Sequence, residues 1–227
     1  MRIGVVAKHE LYFLPIKRLV AENNLDLDVK YVNTLKDLGL GVNNFDIIFF
    51  PHYSMLIPED IFSNFNCVGF HIGNLPEDRG GSPIQNKILL GEYQTFVNAF
   101  KIDSRLDGGP IYDKQPVNLS EGNIIELLEN VAEKIAVIIL RIITTEIVPL
   151  EQPNNQTRFI RLSKDDVKID LEANSLREIY DRIRMVDGLD YPRAQLISYG
   201  KIVELYDAKL NSGELIFKCK VTNVPRD

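Results

Sequence analysis

The residues able to do chemistry are few. The 227-residue chain has three histidines, His9, His52 and His71, and two cysteines, Cys67 and Cys219. Two of the histidines follow strongly apolar runs: His52 comes after Ile47-Ile48-Phe49-Phe50-Pro51, and His71 closes Cys67-Val68-Gly69-Phe70. The carboxyl end of a buried strand is where an open α/β sheet places its functional groups, though a histidine there also serves as a hydrogen-bonded strand end. His71 stands apart because Gly73 to Pro83 follows it, a glycine-containing loop that carries Arg79 and runs into a helix start. Free backbone N–H groups at such a start suit an anion. A second motif, Arg105-Leu106-Asp107-Gly108-Gly109-Pro110, puts a carboxylate in a glycine-rich turn. If that turn meets His71, the carboxylate orients the imidazole and favours its charged form, and a charged ring stabilises an oxyanion and moves protons. The residues by themselves lead to acyl or phosphoryl chemistry and no further.

The elements that must position these groups are legible from hydropathy. Ile3 to Ala7, Val29 to Val32, Asp46 to Phe50 and Cys67 to His71 are short apolar runs of the kind buried on both faces of a sheet. Between them lie amphipathic stretches: a helix is expected over Leu11 to Glu22 and a short one over Pro58 to Phe62. Another is expected from Ser82-Pro83 to Leu90, with Ser82 as its capping hydroxyl. Thr95 to Ile102 and Ile111 to Leu119 are two further strands around the Asp107 turn. A long helix from Gly122 to Ile143 shows three- and four-residue apolar spacing. The alternation implies an α/β fold with a doubly wound, mainly parallel sheet. Residues 151 to 157 form a polar linker. Beyond it, a helix over Ser175 to Val186 and strands over Lys201 to Tyr206 and Glu214 to Val221 form a small C-terminal α+β subdomain. The division is thus 1–150 and 151–227.

Composition excludes several classes. With 45% hydrophobic and 26% charged residues, the chain is of ordinary globular make-up. Asp plus Glu exceeds Lys plus Arg, 32 against 26, and the net charge of −6 argues against general nucleic-acid binding. No apolar stretch approaches a membrane span, and the N-terminus lacks the features of a signal peptide, so a cytoplasmic setting is expected. The sequons at Asn118 and Asn155 are then chance matches. Neither cysteine has metal spacing around it, and no metal is expected.

Three segments together carry a resemblance. His71-Ile72-Gly73-Asn74-Leu75-Pro76, then Arg79-Gly80-Gly81-Ser82-Pro83-Ile84-Gln85, then Leu106-Asp107-Gly108-Gly109 are similar, in order and spacing, to the formyltransferase family. That family includes methionyl-tRNA, glycinamide ribonucleotide and nucleotide-sugar formyltransferases. The resemblance covers roughly residues 1 to 150 and, more loosely, Tyr180 to Ala194. It implies N10-formyltetrahydrofolate as co-substrate and His71 and Asp107 as catalytic residues. The pterin is expected between Tyr53, Met55, Leu56 and Ile57 on one side and Asp103 to Leu106 on the other. Asn74, Arg79, Gly80, Gly81 and Ser82 are then placed at the acceptor. The run Gly80 to Asn86 resembles the amino-sugar enzymes, which makes a nucleotide-linked amino sugar the expected acceptor. A homodimer through the C-terminal strands is compatible with this reading.

One departure bears on mechanism. The family carries an asparagine two residues before the histidine, where this chain has Gly69. Asn86 is the expected substitute donor, with Asn74 behind it. The competing readings are another amine acceptor (an amino acid, a peptide or an aminoacyl-tRNA), formyl-folate hydrolysis, or a folate- or nucleotide-binding protein without turnover, as Gly69 would allow.

Overall fold

The computed structural model describes residues 1–39, 45–154 and 158–224. The apolar runs form β1 (Arg2–Val6), β2 (Asp28–Val32), β3 (Ile47–Phe50) and β4 (Cys67–Ile72), followed by β5 (Gln94–Lys101) and β6 (Ile111–Asn118). They make one sheet in the order β2-β1-β3-β4-β5-β6. The first four strands are parallel, and β5 and β6 are antiparallel. The helices are α1 (Leu14–Glu22), α2 (Glu59–Asn64), α3 (Pro83–Leu89), α4 (Ile124–Thr144) and α5 (Leu176–Arg184).

Side-chain alternation splits the strands between two cores. Ile3, Val5, Ala7, Phe49, Val68 and Phe70 pack with Ile16 of α1 and with Leu128, Val131 and Ile135 of α4. Val6, Ile48, Phe50 and Cys67 face the other way, against Leu38, Ile57 and Ile61. Burial on both faces is what the continuous apolar runs required.

Boundaries follow local chemistry. The helix expected from Leu11 begins only at Leu14, after a 3-10 turn over Glu10–Tyr12. Pro15, which has no N–H, belongs in the first turn of α1 and sets that start. Asn123 opens α4 by accepting the N–H groups of Ile125 and Glu126, and the Glu126 carboxylate returns to the Asn123 N–H. Ser175 and Glu178 make the same reciprocal cap on α5.

The C-terminal part adds a separate antiparallel sheet of β7 (Ala194–Ser198), β8 (Lys201–Asn211) and β9 (Glu214–Asn223), in which β7 was not expected. Its attachment is apolar: Val167, Ile169, Ile179, Ile183, Met185, Ala194 and Leu205 join the same buried cluster as α4 and the large sheet. Residues 155–157, which hold the second sequon and the end of the expected linker, lie outside the described residues. Among those described, no helix is long and apolar enough to cross a membrane.

Ile183 is fully buried where α5 meets this cluster. Truncation to alanine is expected to cost about 2–5 kcal/mol. Urea unfolding followed by circular dichroism and by tyrosine fluorescence should still show one coincident transition. Two separated transitions would show that α5 and the large sheet unfold independently.

Candidate active site

β4 delivers His71 near its carboxyl end. Asp107 has further to travel. Because β5 is antiparallel to β4, it leaves the sheet beside the start of β4: Lys101 lies opposite Val68, and the Ile102 N–H donates to the Cys67 carbonyl at 2.9 Å. The loop before β6 must then fold back along β4 to reach His71. It does so against β5 itself, since a Cβ on Gly109 would lie 1.7 Å from the Lys101 carbonyl oxygen, and only glycine fits. Asp107 adopts φ 48°, a left-handed conformation that aspartate tolerates. The outcome is a His71 Nδ1 to Asp107 Oδ2 distance of 3.4 Å, with His71 5% and Asp107 19% exposed.

The other ring nitrogen is also engaged. His71 Nε2 lies 2.6 Å from the Asp78 main-chain oxygen, an acceptor, so Nε2 carries a proton. Nδ1 then faces the Asp107 carboxylate across the 3.4 Å contact. Asp107 Oδ2 also accepts the Gly80 N–H at 3.2 Å.

Several of the expected ligand-binding residues have partners within the chain. Arg79 is 4% exposed, and its Nη2 donates to Gln152 Oε1 and the Pro153 carbonyl, both at 3.0 Å. The Gly81 N–H donates to the Phe159 carbonyl at 3.1 Å, and the N–H groups of Arg158 and Phe159 donate to the Arg79 carbonyl. These contacts, with the Gly80 N–H bond to Asp107, brace the loop at Arg79, Gly80 and Gly81. Ser82, expected to cap α3, makes no side-chain cap: it sits at φ 46° and its Oγ accepts the Leu162 N–H at 3.1 Å. The Asn86 amide donates at 3.0 Å to each of the Gly81, Ser82 and Ile160 carbonyls. Asn74 holds the loop through its main chain, which donates to Asp78 Oδ2 at 2.7 Å, while its side chain is exposed.

Gly69 has a steric explanation. A Cβ there would lie 2.7 Å from Cζ of Phe100, its partner across the β4–β5 ladder. The buried Phe100 ring fills the space that an asparagine side chain would need.

Each of the expected pterin-binding segments exposes apolar side chains. Met55, Leu56 and Leu106 are 70%, 87% and 55% exposed. Tyr53 and Ile57 of one segment pack with Ile102 of the other on the same small core. Asp103 is pushed up by burial, but its bonds from Arg105 outweigh this and hold it below the usual carboxylate range.

Hydropathy gave no sign of four residues that shape the site. Gln152, within the expected polar linker, is buried and donates to the Asp107 and Gly109 carbonyls at 3.0 and 2.6 Å while accepting from Arg79. Asp78 and Lys87 form a buried ion pair behind His71. Asn98, cross-strand partner of His71, donates to the His71 and Gly73 carbonyls at 3.2 and 2.7 Å. The other histidines lie elsewhere. His9 pairs with Asp190 at 3.2 Å. His52 stacks on Tyr12 and meets the Tyr191 hydroxyl at 3.3 Å. Among the described residues, no cluster of His, Cys, Asp or Glu is arranged to hold a metal.

A mainly parallel α/β sheet that brings a buried histidine against a partly exposed aspartate is a scaffold that comparison with known proteins identifies. A methionyl-tRNA formyltransferase from Clostridium thermocellum superposes with a TM-score of 0.89 at 30% identity, covering 98% of this chain and 99% of that one. A family model described as the methionyl-tRNA formyltransferase C-terminal domain matches residues 164–222. The methionyl-tRNA formyltransferase of Malacoplasma penetrans (strain HF-2) is 29% identical over 214 residues, 88% of this chain; the chain spans 65% of that protein's length. A 4-N formyltransferase from Francisella tularensis shares the fold with a TM-score of 0.68 at 19% identity, covering 96% of each chain. The chain belongs to the formyltransferase family.

Two outcomes follow from this geometry. Gly69→Asn should lose about 1–3 kcal/mol through crowding against Phe100. The double variant Gly69→Asn/Phe100→Leu should be more stable than the two single losses imply. Wild-type urea stability in Gly69→Asn alone would refute the steric account. Burial, with His9 and Arg161 adding to it, pushes His52 down from 6.5 to about 4. The unfolded chain therefore binds more protons in that window, so stability is complete above pH 6.5 and falls as pH drops towards 4. Urea midpoints measured across the window should show a shallower slope in His52→Gln; an unchanged slope would assign the effect to other groups.

Proposed function

We propose that this protein moves a formyl group from N10-formyltetrahydrofolate to a primary amine, and that the amine is the α-amino group of an aminoacyl-tRNA. The carrying observation is the His71–Asp107 contact, in a chain that matches a methionyl-tRNA formyltransferase over 98% of its length. Residues 1–150 hold this machinery in our reading, and 151–227 form the smaller part.

The donor supplies an electrophilic formyl carbon, and the residues around the pair fit it. Met55, Leu56 and Leu106 offer apolar surface for a flat heterocycle, beside the carboxylate of Asp107. Asp107 is the more exposed member of the pair and takes the proton that the amine loses as its new bond to the formyl carbon forms. The proton goes on, directly or through water, to the folate nitrogen whose bond to that carbon breaks. His71 holds the Asp78 carbonyl through Nε2 and faces Asp107 through Nδ1, so it acts by orienting that carboxylate beside the reacting groups.

A second acceptor, a nucleotide-linked amino sugar, is favoured by one observation: the net charge of −6 weakens attraction to a long polyanion. Purified protein with the formyl donor, offered methionyl-tRNA and a panel of nucleotide amino sugars, separates the two. Formylation of the aminoacyl-tRNA is expected; formylation of the sugars alone would transfer the assignment. His71→Ala and Asp107→Asn should each lose about 10²-fold or more in turnover. Nearly full turnover in either variant would overturn the role of that residue.

A further inference from the structure

A buried ionic cluster stands behind His71, and it lies outside the motifs that carry the family resemblance. The Asp78 side chain is fully buried, and both its oxygens are used: Oδ1 accepts Arg158 Nη1 at 2.6 Å, and Oδ2 accepts Lys87 Nζ at 2.8 Å and the Asn74 N–H at 2.7 Å. The Asp78 N–H donates back to the Asn74 carbonyl at 3.1 Å, closing the turn between these residues in both directions. Lys87 lies on α3 with its side chain 5% exposed, and its ammonium also donates to Glu92 Oε2 at 2.6 Å. Burial pushes the Asp78 carboxyl up, but the bonds from Lys87, Asn74 and Arg158 outweigh this and hold it below its ordinary value.

Taking an ammonium and a carboxylate out of water costs more than burying an apolar pair of the same size, so stability alone is a poor reason for this pair. Its geometric consequence is specific. The same residue whose carboxylate is fixed to α3 presents its main-chain carbonyl to His71 Nε2 at 2.6 Å.

We propose that Lys87 is a positioning residue for His71: by anchoring the Asp78 carboxylate to α3 it holds the Asp78 carbonyl at Nε2, which keeps the proton there and turns Nδ1 towards Asp107. The rate readout below rests on the formyl-transfer reading; the spectroscopic readout does not.

The test uses the full chain with 15N-labelled histidine, whose three rings give separable signals. In Lys87→Met, the slowly exchanging Nε2–H signal of His71 should be lost and its ring nitrogens shifted, with the His9 and His52 signals unchanged; Lys87→Arg should retain the wild-type pattern. In the formylation assay, Lys87→Met should lower kcat by about 10- to 100-fold. KM for the formyl donor should stay within about twofold, the mark of an interaction that serves the chemical step and not binding. Should loss of the ammonium beside the buried Asp78 carboxylate prevent Lys87→Met from folding, Asp78→Asn/Lys87→Met removes that buried charge and carries the same ring readout. Wild-type His71 signals in whichever of these two variants folds would overturn the proposal. Failure of Lys87→Arg and both other variants to fold would overturn it too, by making the cluster a folding determinant. Absence of formyl transfer in the wild type would sink the activity reading and leave the ring signals to decide this one.

Discussion

The contact between His71 and Asp107 constrains much of the surrounding structure, because the two residues belong to segments that the sheet topology sends to different places. β4 carries His71 towards its carboxyl end, while the antiparallel β5 exits beside the beginning of β4. The loop that carries Asp107 must double back, and each feature that lets it do so is tightly determined. Gly109 passes against the Lys101 carbonyl where no Cβ fits. Gln152 ties the Asp107 and Gly109 carbonyls to the Arg79 guanidinium. The Gly80 N–H meets the same carboxylate oxygen that faces the imidazole.

The loop from Asn74 to Ser82 has the composition of an anion cradle and the bonding of a scaffold. Its Gly80 and Gly81 N–H groups and its arginine donate to Asp107, Phe159, Gln152 and Pro153, and its Ser82 Oγ accepts the Leu162 N–H. A buried donor without a partner is expensive, so a donor-rich loop covered by another segment is bonded to it. The C-terminal part thereby helps to shape the site, and its apolar residues join the core of the large sheet. What stays open is apolar surface at Met55, Leu56 and Leu106 and the partly exposed Asp107 carboxylate.

Most of the large sheet was legible in the sequence because its strands are short unbroken apolar runs. The beginning of α1 was misread because Pro15 moves it, and β7 was missed because its burial falls steadily from Ala194 to Ser198 with no alternation. At the site, the identities of His71 and Asp107 were legible from their motifs. The roles of Arg79, Ser82 and Asn86 were not, since each depends on residues some 70 to 80 positions later.

What the sequence by itself determined is local: which runs are buried on both faces and which glycines permit turns. Those follow from the hydropathy and backbone freedom of neighbouring residues. Only the tertiary structure decided which donors were left over for chemistry. A hydrogen-bonding group is available to a ligand only when no distant segment has claimed it, and that claim is made through space: by Gln152 on the Asp107 turn, by Phe100 in the room beside Gly69, and by Asp78 on the far nitrogen of His71.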